Sequence, residues 1–510
     1  MKKVGFRNFR RFAEFPVLEF APITFLVGEN NAGKSSVVKG ILAISDFINN
    51  QSRYSVDLDY DGDKSEKTYK EYIIEQLKNI KFYFNTNYLA HIGTFKRALY
   101  NKADDGVIEF YVGFGSVDII FQIIEDKNSD NQVSGLVSKI IIKHYCDSFE
   151  ATFDLHKNKA KVSFIKDIEK KSEDGITDEP KSVELEYKIS DHFTYGYNII
   201  EQLISTIKEE VKRIYEQEEY SRRIAAQKEV CAQKKEEKGG FRTLLKSLFP
   251  ISSSILDGIS GKFKSTHVNR SFSSVWRIKP WRYLNDIKYI YAHSVSQSVI
   301  YSAKDTNDYM SSTIHEFASI IEKGNEFRRD FIKKWMNEFN IGEDYYITTI
   351  GGEGHIVEIV SNGLKSLLSD KGMGSIKLMT LLFRLAINLY DKDKETKNKS
   401  CVFIIEEPEQ NLHPNLQSKL ADLFYELNRD YGYRFIIETH SEYIIRNTQV
   451  LVKEHFENQF SKNPFKVIYF NSPKDDEIYY EIKYRRDGIF ENDFGKGFFD
   501  EASKLIFKIL

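Results

Sequence analysis

The feature that most constrains the chain is the run ITFLVGENNAGKSSVVKGIL, residues 23–42. It sets Gly28, Gly33, Lys34 and Ser35 in the spacing G-x-x-x-x-G-K-S. An apolar, strand-like stretch precedes the glycines. A helix-like stretch follows, with apolar residues at Val37, Ile41, Ile44 and Ile48. In that strand–loop–helix context, consecutive backbone N–H groups and a helix N-terminus converge on an anion. The spacing therefore predicts a cradle for nucleotide phosphates built from Gly28, Asn30, Asn31, Gly33, Lys34, Ser35 and Ser36. Lys34 is expected to reach the β- and γ-phosphates and the Ser35 hydroxyl to ligate Mg2+, so the expected ligands are ATP and Mg2+.

A phosphate cradle hydrolyses nothing without carboxylates, and these come late in the chain. In CVFIIEEPEQ an apolar strand ends on Glu406 and Glu407. Glu406 stands where an acid would hold Mg2+, and Glu407 where an acid would polarise the attacking water. A second apolar strand, RFII, runs into ETHSEYII and places His440 at its tip, within reach of a γ-phosphate. SDKGMGSIKLM puts Gly372, Gly374 and Ser375 at a helix N-terminus, where backbone N–H groups can approach a phosphate closely. Each pattern alone also fits a plainer role: solvent-facing acids, a structural histidine, a serine-capped helix. His413, in NLHP, fits a loop residue at a subunit contact.

A chain of 510 residues exceeds one ordinary core. With 41% hydrophobic and 29% charged residues it has a globular composition. Lys+Arg number 73 against 75 Asp+Glu, which excludes a uniformly basic nucleic-acid coat. Cys146, Cys231 and Cys401 lie too far apart for a disulfide framework or a zinc cluster, and this points to the cytoplasm. No apolar run reaches the ~20 residues of a membrane span. MKKVGFRNFRRF is basic but lacks the apolar core of a signal peptide. Residues 82–165 read as antiparallel strands and 166–182 (KDIEKKSEDGITDEPKS) as a charged loop. In residues 198–238, Ile200, Leu203, Ile207, Val211 and Ile214 form a coiled-coil-like seam that fades into charge, predicting a protruding solvated helix or a partner- or DNA-contacting arm. Towards the C-terminus, buried strands alternating with helices predict a parallel α/β sheet.

In this order the motifs resemble the ABC-type ATPase heads of the recombination and chromosome-maintenance class, and more closely the overcoming-lysogenization-defect (OLD) family. The likeness rests on FRNFRRF, GENNAGKSS, DKGMGS as signature loop, FIIEEPEQNLHP as Walker B with its D-loop, and IIETHSEYII as the switch histidine. LAHIGTFKRALY resembles the family's Q-loop region, and DGIFENDFGKGFFDEASKL its C-terminal tail. The resemblance implies an α/β, ABC/SMC-like P-loop head split between the chain ends. Residues 1–195 would form an N-terminal half with a strand-rich lobe, 196–285 a helical, coiled-coil-like insertion, and 286–510 the C-terminal half.

It also implies that ATP is sandwiched between two heads. Lys34, Ser35, Glu406, Glu407 and His440 would act within one chain, and Gly374 and Ser375 towards its partner, so a homodimer or a multiple of dimers is expected. The signature lacks a Leu-Ser-Gly-Gly-Gln run. Within YIYAHSVSQSVIY, Ser294 or a neighbour stands where relatives often carry Arg. OLD nucleases continue after the switch histidine into a metal-dependent Toprim domain. Residues 441–510 lack spaced Glu and Asp-x-Asp acids in such a setting, and Asp475 and Asp476 are adjacent, the wrong arrangement for a two-metal site, so nuclease chemistry is not expected within this chain. Stand-alone heads of this kind resemble ATPase components of the anti-phage systems Septu and PARIS, which act on a separately encoded effector, often a nuclease. DNA or a phage protein would be the trigger. The alternatives are a DNA repair or maintenance ATPase of the SMC/RecF-like class and a scaffold that binds ATP without turning it over.

Overall fold

The computed structural model describes residues 2–49, 66–85, 91–193, 201–220, 287–390 and 401–509. Within these spans it leaves out 116, 129–132, 146–148, 173–174, 208, 211–212, 214–215, 218–219, 293–294, 306–307, 322–325, 473–474, 476 and 496–497. The expectations for Cys146, Ile200, Val211, Ile214, Ser294, Asp476 and the charged run 221–238, with Cys231, lie outside the described residues.

The N-terminal strands are β1 (Lys3–Phe9), β2 (Phe12–Glu19) and β3 (Ile23–Gly28), followed by the helix Lys34–Asn49. After β4 (Lys81–Tyr83) come β5 (Ile108–Phe114), β6 (Val117–Glu125), β7 (Ser134–His144), β8 (Phe149–Asp154), β9 (Lys159–Ser172) and β10 (Gly175–Lys188). These strands, with β1 and β2 but without β3, form an antiparallel sheet in the order β10-β9-β8-β7-β6-β5-β1-β2, with β4 on β7. Alternation of Phe, Ile and Val along β5 to β8 buries one face, as a half-solvated sheet requires.

The charged loop expected at 166–182 is instead strand. β9 and β10 pair in unbroken register from Lys159↔Lys188 to Ser172↔Gly175. The pairing is made by backbone hydrogen bonds, which a charged sequence does not prevent. Its signal in the sequence was the Asp174-Gly175 dipeptide.

The second sheet draws on both ends of the chain. β11 (Ile287–Ile290), β16 (Val402–Glu406), β17 (Arg434–Glu438) and β18 (Phe465–Phe470) run parallel to β3, and β19 (Tyr479–Ile482) closes one edge antiparallel. The order is β11-β16-β17-β3-β18-β19, so the N-terminal strand sits between two C-terminal ones. Side chains alternate cleanly across it. Leu26, Ile404, Ile436 and Ile468 pack with the P-loop helix and the antiparallel lobe. Phe25, Val27, Phe403, Ile405, Phe435 and Ile437 pack with the C-terminal helices. Burial on both faces explains why these strands read as unbroken apolar runs. The helices on the second face are Tyr309–Ile321, Glu326–Glu338, Met373–Ile387, Pro414–Tyr431 and Glu442–Phe456. A small sheet of β12 (Tyr301–Ser302), β13 (Asp344–Ile350), β14 (Gly354–Ser361) and β15 (Leu364–Leu367) lies beside them. The fold is thus α/β, with the parallel P-loop sheet split between the chain ends and a strand-rich lobe attached.

Two residues of the expected coiled-coil seam, Leu203 and Ile207, are buried in the core that fills the lobe. Thr206 shares a 2.9 Å hydrogen bond with Tyr187 at the end of β10. The start of that helix is therefore packed against the lobe. Among the described residues no helix is long and apolar enough to cross a membrane.

Gly40 reports on the seam between the P-loop helix and the lobe. A Cβ there would lie 2.5 Å from Cε1 of Phe6, a ring itself wedged among Phe9, Phe15 and Phe110. Gly→Ala inside a helix ordinarily gains about 1 kcal/mol. Here Gly40→Ala is expected to lose about 1–3 kcal/mol by overpacking. Denaturant unfolding of the variant checks this; a gain in stability would contradict the packing.

Candidate phosphate-binding site

The loop that leaves β3 is fixed by two glycines that accept no side chain. Gly28 has φ 129°, and a Cβ there would fall 2.3 Å from the carbonyl oxygen of Phe470 on β18. Gly33 has φ 109°, and its Cβ would strike the Phe12 ring at 2.4 Å. Asn30 and Asn31 stand exposed at the crest. Asn31 adopts φ 59°, and its carbonyl accepts a hydrogen bond from the Arg11 guanidinium. Lys34 opens the helix. Its buried ammonium turns back to donate to the carbonyls of Gly28 (3.0 Å) and Glu29 (2.8 Å). Ser35 lies exposed next to it, and the Ser36 N–H donates to Gly33 O at 3.0 Å. The cradle residues of the motif thus form one continuous loop and the first turn of the helix that follows.

Parallel register brings the acids to this loop. Glu406 ends β16, Glu438 ends β17, and the two are paired in register; Glu438 in turn faces Leu26 of β3. The Ser35 hydroxyl donates to Glu438 Oε1 at 2.9 Å. The sequence reading named Glu406 and Glu407 but not Glu438. Its signal was present, because ETH ends an apolar strand on an acid just as IIEE does. What the sequence does not carry is the register that sets Glu438 beside β3.

Burial pushes the Glu438 carboxyl up to about 7. The Ser35 hydrogen bond and the Lys34 charge act against that rise, while Glu406 and Glu407 add to it. Glu438 Oε2 is buried without a hydrogen-bond partner. Burial also raises the Glu406 carboxyl, opposed by a hydrogen bond from Tyr289 and the charge of Lys39. Lys34 is pushed down by burial and held up by Glu438, Glu407 and Glu29. A hydroxyl, a carboxylate with an orphaned oxygen and a further strand-tip acid form an oxygen-donor set suited to Mg2+. Ser35, Glu406 and Glu438 are the residues that would hold it.

Glu407 sits at φ 44°, a left-handed conformation that non-glycine residues rarely adopt, and its N–H donates to Glu438 O at 2.8 Å. Such an outlier at a strand tip is the kind of local strain that clusters at functional sites. His440 stands at the surface just beyond Glu438, with its backbone N–H donating to Glu409 Oε1 at 2.7 Å. Desolvation first, and Lys34 second, lower its imidazole pKa, while Glu407 acts against them. His413 caps the helix Pro414–Tyr431, accepting a hydrogen bond from Asn415 N–H at 3.4 Å.

Gly372 is the N-cap of the helix Met373–Ile387, with open space where a side chain would be. A Cβ on Gly374 would lie 2.5 Å from Asn411 O, so the helix start presses on the loop that follows the acids. Ser375 N–H donates to Gly372 O at 2.9 Å. Three cations missed by the sequence reading, Arg10, Lys39 and Arg97, act on one another beside Glu406 and Glu438. The Arg10 N–H donates to Ala98 O at 2.6 Å, which ties the β1–β2 turn to the LAHIGTFKRALY segment.

The raised Glu438 pKa has a stability consequence of definite sign. Between its ordinary value of 4.5 and about 7, the folded chain keeps a proton that the unfolded chain releases. Stability from this group is therefore fully present below 4.5 and lost as pH rises through about 7. Glu438→Gln cannot titrate. Its melting temperature relative to the parent, both without nucleotide, is expected to climb from pH 5 to pH 8; a difference that stays flat would contradict the burial.

Comparison with solved structures finds similar chains among SMC heads. One is an SMC head with an extended coiled coil bound to the C-terminal domain of ScpA, from Pyrococcus furiosus, at 11% identity and TM-score 0.33, covering 100% of this chain and 98% of that one. Another is the SMC head domain from Thermotoga maritima, at 9% identity and TM-score 0.29, covering 95% and 98%. No curated protein matches. The family model described as AAA ATPase domain, AAA_15, matches residues 1–445, and the chain belongs to that family of P-loop ATPases.

Proposed function

We propose that the chain hydrolyses ATP to ADP and phosphate at a site shared between two copies, and that closure of the two heads controls a separately encoded effector in defence against phage. The observation that carries the catalytic part is the junction of three strand tips. The β3 loop brings Lys34 and Ser35 to the acids that end β16 and β17, with Ser35 and Glu438 in direct hydrogen bond at 2.9 Å.

In this reading the loop N–H groups and Lys34 hold the triphosphate, and Gly28 and Gly33 keep the backbone close to it. Mg2+, when bound through Ser35, Glu406 and Glu438, supplies charge neutralisation at the phosphate oxygens. Glu407 accepts the proton of the attacking water, and His440 orients the γ-phosphate side. Gly374 and Ser375 face the partner's nucleotide. Support for a shared site lies in the signature helix, whose N-cap Gly372 has open space where a side chain would be. Support for an effector lies in the likeness of the motif set to stand-alone heads of anti-phage systems.

Lys34→Ala is expected to lower ATP turnover on the order of 100-fold or more. Glu407→Gln is expected to lower it by a similar factor while retaining ATP and accumulating as a dimer. Steady-state phosphate release and light scattering with ATP check both. Normal turnover by Lys34→Ala would remove the site assignment. Tight, salt-sensitive, ATP-dependent DNA binding by the purified chain alone would move the reading to DNA maintenance.

A further inference from the structure

The helix that begins at the signature glycines carries a buried cation that no phosphate role explains. Lys377 lies one turn into Met373–Ile387 and is 4% exposed. Its ammonium donates to three oxygens: Glu407 O at 2.7 Å, Ala292 O at 3.0 Å and Gln410 Oε1 at 3.2 Å. An ammonium has three N–H donors, so this set satisfies it. None of the three acceptors is a carboxylate. Burial pushes the lysine pKa down to about 8, with Glu409, Glu407 and Glu406 pulling the other way. A buried charge is expensive to keep, and a methionine or leucine would fill the space at less cost.

What the cation holds is the backbone of the candidate base. The Glu407 residue is clamped on both sides: its N–H by Glu438 O at 2.8 Å, its carbonyl by Lys377. Between the clamps it takes φ 44°. The same lysine reaches the acid loop through Gln410 and the segment after β11 through Ala292. Gly374, three residues before it, presses on Asn411 of that loop. The helix start and the Glu407 turn therefore cannot move independently.

We infer that Lys377 is a positioning residue that links the signature end of its helix to Glu407 of the same chain. Resting on the shared-site reading above, this makes each chain a connector: the glycines sense nucleotide held by the partner, and Lys377 sets the carboxylate that works on the chain's own nucleotide. Filling one site then adds to turnover at the other.

The test is a double-mutant cycle in single-turnover and steady-state ATP hydrolysis. Lys377→Met is expected to lower kcat on the order of 100-fold, the penalty of a misplaced catalytic group, with KM for ATP changed less than about twofold. In a Glu407→Gln background the same change is expected to have no further effect, because both lesions act through one group. Gln410→Ala weakens the same clamp from the other side and is expected to lower kcat several-fold, again with KM held. It serves if Lys377→Met fails to fold. Losses that multiply in the double variant, or a fall in ATP affinity matching the fall in kcat, would overturn the link and leave Lys377 a packing residue. An inactive Glu407→Gln beside a fully active Lys377→Met overturns the link alone. Full turnover by Glu407→Gln removes the base and the link together.

Discussion

The ladder that places β3 between β17 and β18 is the constraint on which the rest depends. All six residues of β3 are buried, and its neighbours on both sides come from beyond residue 430. Parallel strands cannot be joined by a tight turn, so the intervening chain must leave the sheet and return. It does so through the antiparallel lobe and the C-terminal helices. The same ladder fixes the chemistry. Register Glu438↔Leu26 and Phe470↔Gly28 sets the height of the acids and of the loop. A slip by one residue would invert the faces of β17 and carry Glu438 away from Ser35.

The site is electrostatically crowded before any ligand arrives. Glu407 acts on Glu406, Glu438 and Lys34, Glu438 and Lys34 act on each other, and Lys39 acts on Glu406 with Arg10 and Arg97 close behind it. Burial opposes charge on both the acids and the lysine, and only part of this is offset by mutual attraction. A triphosphate with its cation would complete the set, since Lys34 currently satisfies itself on loop carbonyls. Sites that act on charge are expected to be unstable in this sense, because the fold positions groups for a ligand rather than for each other.

Much of this was legible in the sequence, and the gaps have physical causes. The cradle, both apolar acid strands and the antiparallel lobe follow from local patterns: glycine spacing, unbroken apolar runs and alternation. Glu438 was not read because a strand-tip acid gains its role only from register with β3, a pairing of residues about 400 positions apart. The run 166–182 looks like a loop from its charge alone, whereas the β9–β10 ladder is a backbone pairing that charge does not prevent. Leu203 and Ile207 follow the seam as read, but their burial depends on the lobe that packs over them. Lys377 sits in a helix read as amphipathic, and nothing in its neighbours announces that it faces inward.

Complementation between two inactive variants tests the shared site most directly. Lys34→Ala disables the cradle, and Ser375→Arg blocks the signature end; each alone would leave both sites of a dimer dead. Co-expressed with different tags and purified on both, the mixed dimer pairs an intact cradle with an intact signature at one of its two sites. A shared site predicts ATP turnover well above either parent and no more than about half that of the unmodified protein. A mixed dimer as inactive as its parents would contradict it.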